Sequence, residues 1–225
     1  MPSAPPRNPI RNKANKRPPF VKRILLAGMV AASAGLLLVA HGQLGRGAAS
    51  DAPPLVQDAS AFQTGDMLFV QGTSWRSRVV LLLGGDSNFS HVGLIRRRNG
   101  TPFVIHAAPT ATSTHENGAV TAEPLRDFLS TARVSQAALY RVRGRRATAQ
   151  RAASAAQTYA ARALPFDHDF DATTPGTLYC TELIWRAYRA AGLRLPETFS
   201  ATTGDPLLPT ALRRSRRLSE VARFR

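Results

Sequence analysis

Among its 225 residues the chain has one cysteine, so it forms no internal disulfide and its fold must be held by a buried core. That thiol, Cys180, is left for chemistry or for burial. Five histidines (His41, His91, His106, His115 and His168) show no close pairing at zinc-ligand spacing, and one cysteine is too few for a thiolate site, so neither a metal nor another cofactor is expected. Lysine is almost missing: all three lie within the first 22 positions, and every later basic residue is arginine. Acid is scarce as well, with 14 carboxylates against 30 basic residues. A net charge of +16 invites a nucleic-acid reading, but no recognised nucleic-acid motif is present, and one-sided arginine usage reflects genome composition more than a binding code. A denser cluster, Arg213, Arg214, Arg216, Arg217, Arg223 and Arg225, closes the chain; a solvated helix face and attraction to anionic lipid or wall polymer both account for it.

Only one long apolar run exists, Ile24 to Ala40, and it comes after 23 residues without a single acid. Seven basic residues (Arg7, Arg11, Lys13, Lys16, Arg17, Lys22 and Arg23) precede it. Such a flank holds the N-terminus in the cytoplasm and sends the downstream chain across the membrane. The 17-residue run lies between a long signal-peptide core and a short spanning helix, with small residues at Ala40 and Gly42, or Gly47 and Ala49, available as cleavage positions. No cysteine comes after it, which excludes a lipoprotein anchor. Residues 1–46 therefore read as a basic tail plus a signal peptide or membrane anchor. Residues 47–60, rich in Ala, Gly, Pro and Asp, read as a linker, and 61–225 as one folded domain that is extracytoplasmic.

Within that domain Met67 to Val70 is expected as a first strand and Trp75 to Leu83 as a short helix closed by Gly84-Gly85. His91 to Ile95 and Phe103 to Ala107 are β-prone runs joined by RRRNGTP, a hairpin signal. Leu139 to Val142 is a further strand, and Ala147 to Leu164, alanine-rich and free of Gly and Pro, is expected as a helix. After Cys180, the residues Leu183, Ile184, Ala187, Tyr188 and Ala191 recur at helical spacing until Gly192.

Cys180 thus sits at a helix N-terminus, where unpaired N–H groups and the positive end of the helix dipole favour a thiolate and lower its pKa, and where the same amides can hold an oxyanion. Position alone leaves both a nucleophile and an inert buried thiol open. His41 lies in the targeting end, His115 in the polar loop TATSTHENG, and His168 between carboxylates in LPFDHDFD. His91 and His106 stand on the two hairpin strands, so they are expected as neighbours, one able to serve as base and the other to orient it. Asp66, Asp167, Asp169, Asp171 and Glu182 are expected to stabilise turns and a helix start. The loop from Ala108 to Thr121 has the small and polar composition of a lid.

Taken together, GDMLFV, SNFSHVGLI, FVIHA, a helix ending in LPFD, and LYCTELIWRAY resemble the permuted branch of the NlpC-type papain-like superfamily, specifically YiiX-like proteins, in which the histidine precedes the cysteine. The likeness runs from about Gly65 to Gly192. It implies an α+β fold in which a small antiparallel sheet packs against helices, one of which presents the cysteine. It further implies Cys180 as nucleophile, His91 as base, His106 as the third polar residue, and Tyr179 beside the oxyanion site. The activity implied is cleavage of an amide or ester bond through an acyl-enzyme, in cell-wall peptides of a bacterial envelope. Lecithin:retinol acyltransferase-like proteins share the permuted order and a second histidine, which keeps a membrane-facing lipid acyltransferase or lipid hydrolase as an alternative. A non-catalytic binding module of the same fold is a third. Neither the scissile bond nor the oligomeric state is legible.

Overall fold

The computed structural model describes residues 56, 58–72, 89–109, 118–130 and 133–224. The targeting segment, the helix expected over Trp75 to Leu83, His41, His115 and most of the Ala108 to Thr121 loop lie outside the described residues.

Six strands form one antiparallel sheet: β1 (Met67–Gly72), β2 (His91–Arg98), β3 (Thr101–Ala108), β4 (Ala119–Pro124), β5 (Val134–Val142) and β6 (Leu218–Phe224). Their spatial order is β4-β3-β2-β1-β5-β6, and every neighbouring pair is antiparallel. The helices are α1 (Leu125–Phe128), α2 (Arg146–Ala161), α3 (Cys180–Ala190) and α4 (Pro209–Arg213), with a 3-10 turn at Ala201–Thr203.

β2 and β3 form the expected hairpin, turning at Asn99 and Gly100 with φ of 48° and 83°, the left-handed pair that an Asn-Gly turn requires. The strands read as continuous apolar runs because both faces of the sheet are covered. On one face Met67, Phe69, Val92, Leu94, Ile105 and Tyr140 pack against the small side chains of α2 (Ala149, Ala152, Ala153, Ala156) and the larger ones of α3 (Leu183, Ile184, Tyr188). On the other, Leu68, Val70, Ile95, Val104 and Leu139 meet Phe62 and the α1 region, Leu125, Phe128 and Leu129. Alternation along each strand therefore sorts residues between two cores rather than between core and water.

α2 stops at Ala161, three residues short of expectation. Ala163 turns left-handed at φ 45°, and Leu164 precedes Pro165, where helical backbone is disfavoured. Among the described residues, no helix is long and apolar enough to cross a membrane.

Candidate active site

Cys180 is the first residue of α3, entered from an extended Tyr179. The helix start is clamped by one backbone unit: the Leu207 N–H donates to the Tyr179 hydroxyl at 2.9 Å, and the Leu207 carbonyl accepts from the Thr181 hydroxyl. Glu182, fully buried, accepts the Tyr179 N–H at 3.4 Å and the Arg186 Nε at 2.6 Å, so the first turn is also held from inside. Burial nevertheless outweighs Arg186 and pushes the Glu182 carboxyl up to about 7. The Tyr179 ring is buried and its hydroxyl is occupied at Leu207, which makes it a structural peg of this corner.

The thiol meets the sheet where the sheet opens. The β2–β3 ladder begins at Leu94↔Ile105; the positions one and two steps further toward the start of β2, Gly93 with His106 and Val92 with Ala107, are not joined. Released from β3, the Val92 N–H turns to the Cys180 sulfur, as do the N–H groups of Thr181 and of Cys180 itself. These donors favour a thiolate, as expected for a helix tip. Burial opposes them and wins, moving the thiol from 9.0 up to about 11. The lowering expected from the helix N-terminus is thus overturned by desolvation.

His91, the residue before Val92, opens β2. Its Nε2 lies 3.1 Å from Nδ1 of His106, the two rings meeting edge to face with centroids 5.2 Å apart. Phe128 of α1 packs on both, at 5.9 and 5.0 Å. The hairpin neighbours expected from the sequence are therefore in contact. Gly93 makes this possible: a Cβ there would stand 2.3 Å from Val104 Cγ1 and 3.4 Å from His106 Cβ. Burial, seconded by His106, drives the His91 pKa down to about 3, so its imidazole is neutral.

Two residues the sequence did not single out extend this pair. Nε2 of His106 is 2.8 Å from Glu123 Oε1, although the ring N–H points off the line to the oxygen. Both oxygens of Glu123 are gripped by Arg133, at 2.8 and 3.0 Å. Burial would raise the Glu123 carboxyl, but the His106 and Arg133 contacts outweigh it and hold it at about 2. The register explains the meeting. Val104 pairs with Glu123 and His106 with Thr121, so Glu123 sits one diagonal step from His106 on the same face. Only period-2 alternation in AVTAEP signals this, and only once that segment is taken as a strand.

Other candidates go elsewhere. His168 is exposed and packs on Phe166 at 5.0 Å. Asp66 is buried and bonds Arg141 by both oxygens at 2.7 Å, and Asp167 accepts the N–H groups of Asp169 and Asp171, the structural parts expected of them. In the C-terminal cluster Arg213 donates to the Tyr140 hydroxyl, while Arg217 and Arg223 lie 3.3 and 2.8 Å from Glu197 and Glu220; Arg214 and Arg216 are exposed.

A six-stranded antiparallel sheet, a helix opening on cysteine, and a histidine from an earlier strand define a papain-like protein with its elements in permuted order. The chain belongs to the permuted papain-like amidases of the YaeF/YiiX type, the C92 peptidase family, whose model matches residues 61–206. It is similar in fold to the crystal structure of the metalloprotein YiiX from Escherichia coli O157:H7 (DUF1105), with 24% identity over 71% of this chain and 96% of that one and a TM-score of 0.56. No curated protein sequence matches the chain significantly. Among the described residues no group of three or more His, Cys, Asp or Glu is placed to hold a metal ion.

Proposed function

We propose that the protein is a cysteine-dependent amidase that cleaves an amide, or an ester, through an acyl-enzyme, with Cys180 as nucleophile, His91 as base and His106 orienting it. One observation carries this reading. The sulfur of Cys180 receives the N–H of Val92, and the neighbouring His91 has its Nε2 taken by His106, which leaves Nδ1 as the nitrogen available to the thiol. Because the resting thiol and imidazole are both neutral, the proton passes from Sγ to His91 as the sulfur attacks the carbonyl. His91 then protonates the leaving group, and water resolves the acyl-enzyme. The oxyanion is assigned to the amides at the start of α3, which turn from the sulfur to the oxygen once the sulfur is acylated. Tyr179 gives its N–H to Glu182 and its hydroxyl is engaged by Leu207, so it holds the helix start and donates no hydrogen bond to the oxyanion.

The substrate we assign is a cell-wall peptide, and the compartment is the bacterial envelope outside the cytoplasm, reached through the basic and apolar segment of residues 1–46. A histidine rather than a carboxylate in contact with His91 favours a second reading, an ester-cleaving or acyl-transferring enzyme at the membrane face. Purified protein incubated separately with murein peptide fragments and with diacyl lipid vesicles distinguishes the two. Amide cleavage is expected with murein fragments, absent in Cys180→Ala and lowered on the order of a hundredfold or more in His91→Ala. Wild-type turnover in Cys180→Ala would overturn the assignment, and turnover of lipid alone would replace the substrate.

A further inference from the structure

We propose that Glu123 is a positioning residue that fixes the proton placement along His106 and His91, and so keeps the Nδ1 lone pair of His91 free for the thiol. This inference rests on the Cys180–His91 reading above and adds to it a residue two contacts removed from the sulfur.

Glu123 is gripped at both oxygens by Arg133. Held at about 2, it is a carboxylate that accepts and has no proton to give. Its Oε1 lies 2.8 Å from His106 Nε2, a separation that two lone pairs would not tolerate, so when the His106 ring holds a single proton that proton sits on Nε2. Nδ1 of His106 is then an acceptor. Its partner at 3.1 Å, Nε2 of His91, must therefore carry the proton of that ring. A neutral His91 has only one, and Nδ1 is left bare. A carboxylate on β4 thus dictates, across two strands, which nitrogen at the start of β2 is basic.

The same polarity serves the next step. When His91 takes the thiol proton on Nδ1, its positive charge is shared through Nε2–H to His106 and through His106 Nε2–H to the carboxylate. Arg133 keeps both oxygens of Glu123 in place, and a third bond, from Arg133 to the Asp127 carbonyl at 3.1 Å, fixes the guanidinium to the end of α1. A purely structural ion pair would tie β4 to the entrance of β5 equally well, but it would have no bearing on the tautomer of His91.

Glu123→Gln separates these roles with almost no change in size. Arg133 would hold the amide oxygen, turning the amide N–H toward His106 Nε2. Every proton in the chain would then reverse, and His91 Nδ1 would become a donor. The test is ¹⁵N NMR of the histidine ring nitrogens in the full-length protein, combined with iodoacetamide alkylation of Cys180 at pH 7. In the wild type, His91 is expected to carry its proton on Nε2 and His106 on Nε2. In Glu123→Gln both shift to Nδ1, and alkylation slows on the order of a hundredfold. Glu123→Asp, which restores an acceptor without a proton, returns the wild-type tautomer. A wild-type His91 protonated on Nδ1 overturns the proposal without recourse to any variant, as does a Glu123→Gln protein with unchanged tautomers and alkylation rate. Equal alkylation in wild type and His91→Ala would instead count against the Cys–His reading, while the tautomers would still report on Glu123.

Discussion

Cys180 combines two environments that pull in opposite directions. Three backbone N–H groups aim at its sulfur, the provision a thiolate needs, yet the sulfur lies under the sheet where charge is expensive. Burial prevails, and the thiol moves to about 11 while the His91 imidazole falls to about 3. A resting thiolate–imidazolium pair is incompatible with both directions. On the proposed mechanism the nucleophile is instead made during attack, with His91 accepting the proton as sulfur meets carbonyl, in the manner of a serine hydrolase. Ultraviolet thiolate absorbance, taken as the difference between wild type and Cys180→Ser, checks this directly. No thiolate is expected at pH 7, and the signal should grow only as the pH climbs toward 11. A full thiolate signal between pH 6 and pH 8 would show that the amides outweigh burial after all.

At the scale of elements, the site is the point where β2 and β3 part, and Gly93 controls how closely they run just before they do. A methyl group at that position would meet Val104 Cγ1 at 2.3 Å, so Gly93→Ala must push β3 away and carry His106 with it. Overpacking of this kind costs about 1–3 kcal/mol, read as a lower urea midpoint, and alkylation of Cys180 at pH 7 is expected to slow because the His91–His106 contact loosens. An unchanged midpoint with unchanged alkylation would show that the strands absorb the methyl group. This geometry was half legible in the sequence. Asn99-Gly100 between two apolar runs marked the hairpin and with it the meeting of His91 and His106. The 3.6-residue spacing after Cys180 placed the thiol at a helix start. β4 and β6 went unseen because AVTAEP and LSEVARF are short and polar-studded, without a strong apolar run. Glu123 was hidden for the same reason, since its partnership with His106 exists only in the register of β3 against β4. The direction of the Cys180 shift was misjudged because dipoles and caps are local and readable, whereas depth of burial is a property of the assembled sheet.

For the molecule as a whole, scarcity of acid concentrates its pH response in a few groups. Asp66, Glu123, Glu182, Glu197 and Glu220 each face an arginine, so several of the chain's 14 carboxylates are committed to ion pairs. Two groups, the half-buried His91 and the buried Glu182, then act against each other. His91, ordinarily at 6.5 and held at about 3, takes up a proton in the unfolded chain that the folded protein refuses, so it withdraws stability as pH falls from 6.5 toward 3. Glu182, ordinarily at 4.5 and raised to about 7, keeps a proton that the unfolded chain releases, so it withdraws stability as pH rises from 4.5 toward 7. Each slope is at most about 1.4 kcal/mol per pH unit, and between pH 4.5 and 6.5 they cancel. Below pH 4.5 the Glu182 effect ends, and Glu123, which loses its stabilising charge between 4.5 and about 2, joins His91. Urea denaturation across this range should therefore give a wild-type plateau from pH 4.5 to 6.5 and a steep fall below it. In Glu182→Gln the plateau is expected to become a rise with pH, and in His91→Gln a decline. The same flat profile in both variants would mean that neither group carries its proton as burial dictates, and the neutral resting pair at the heart of the mechanism would lose its basis.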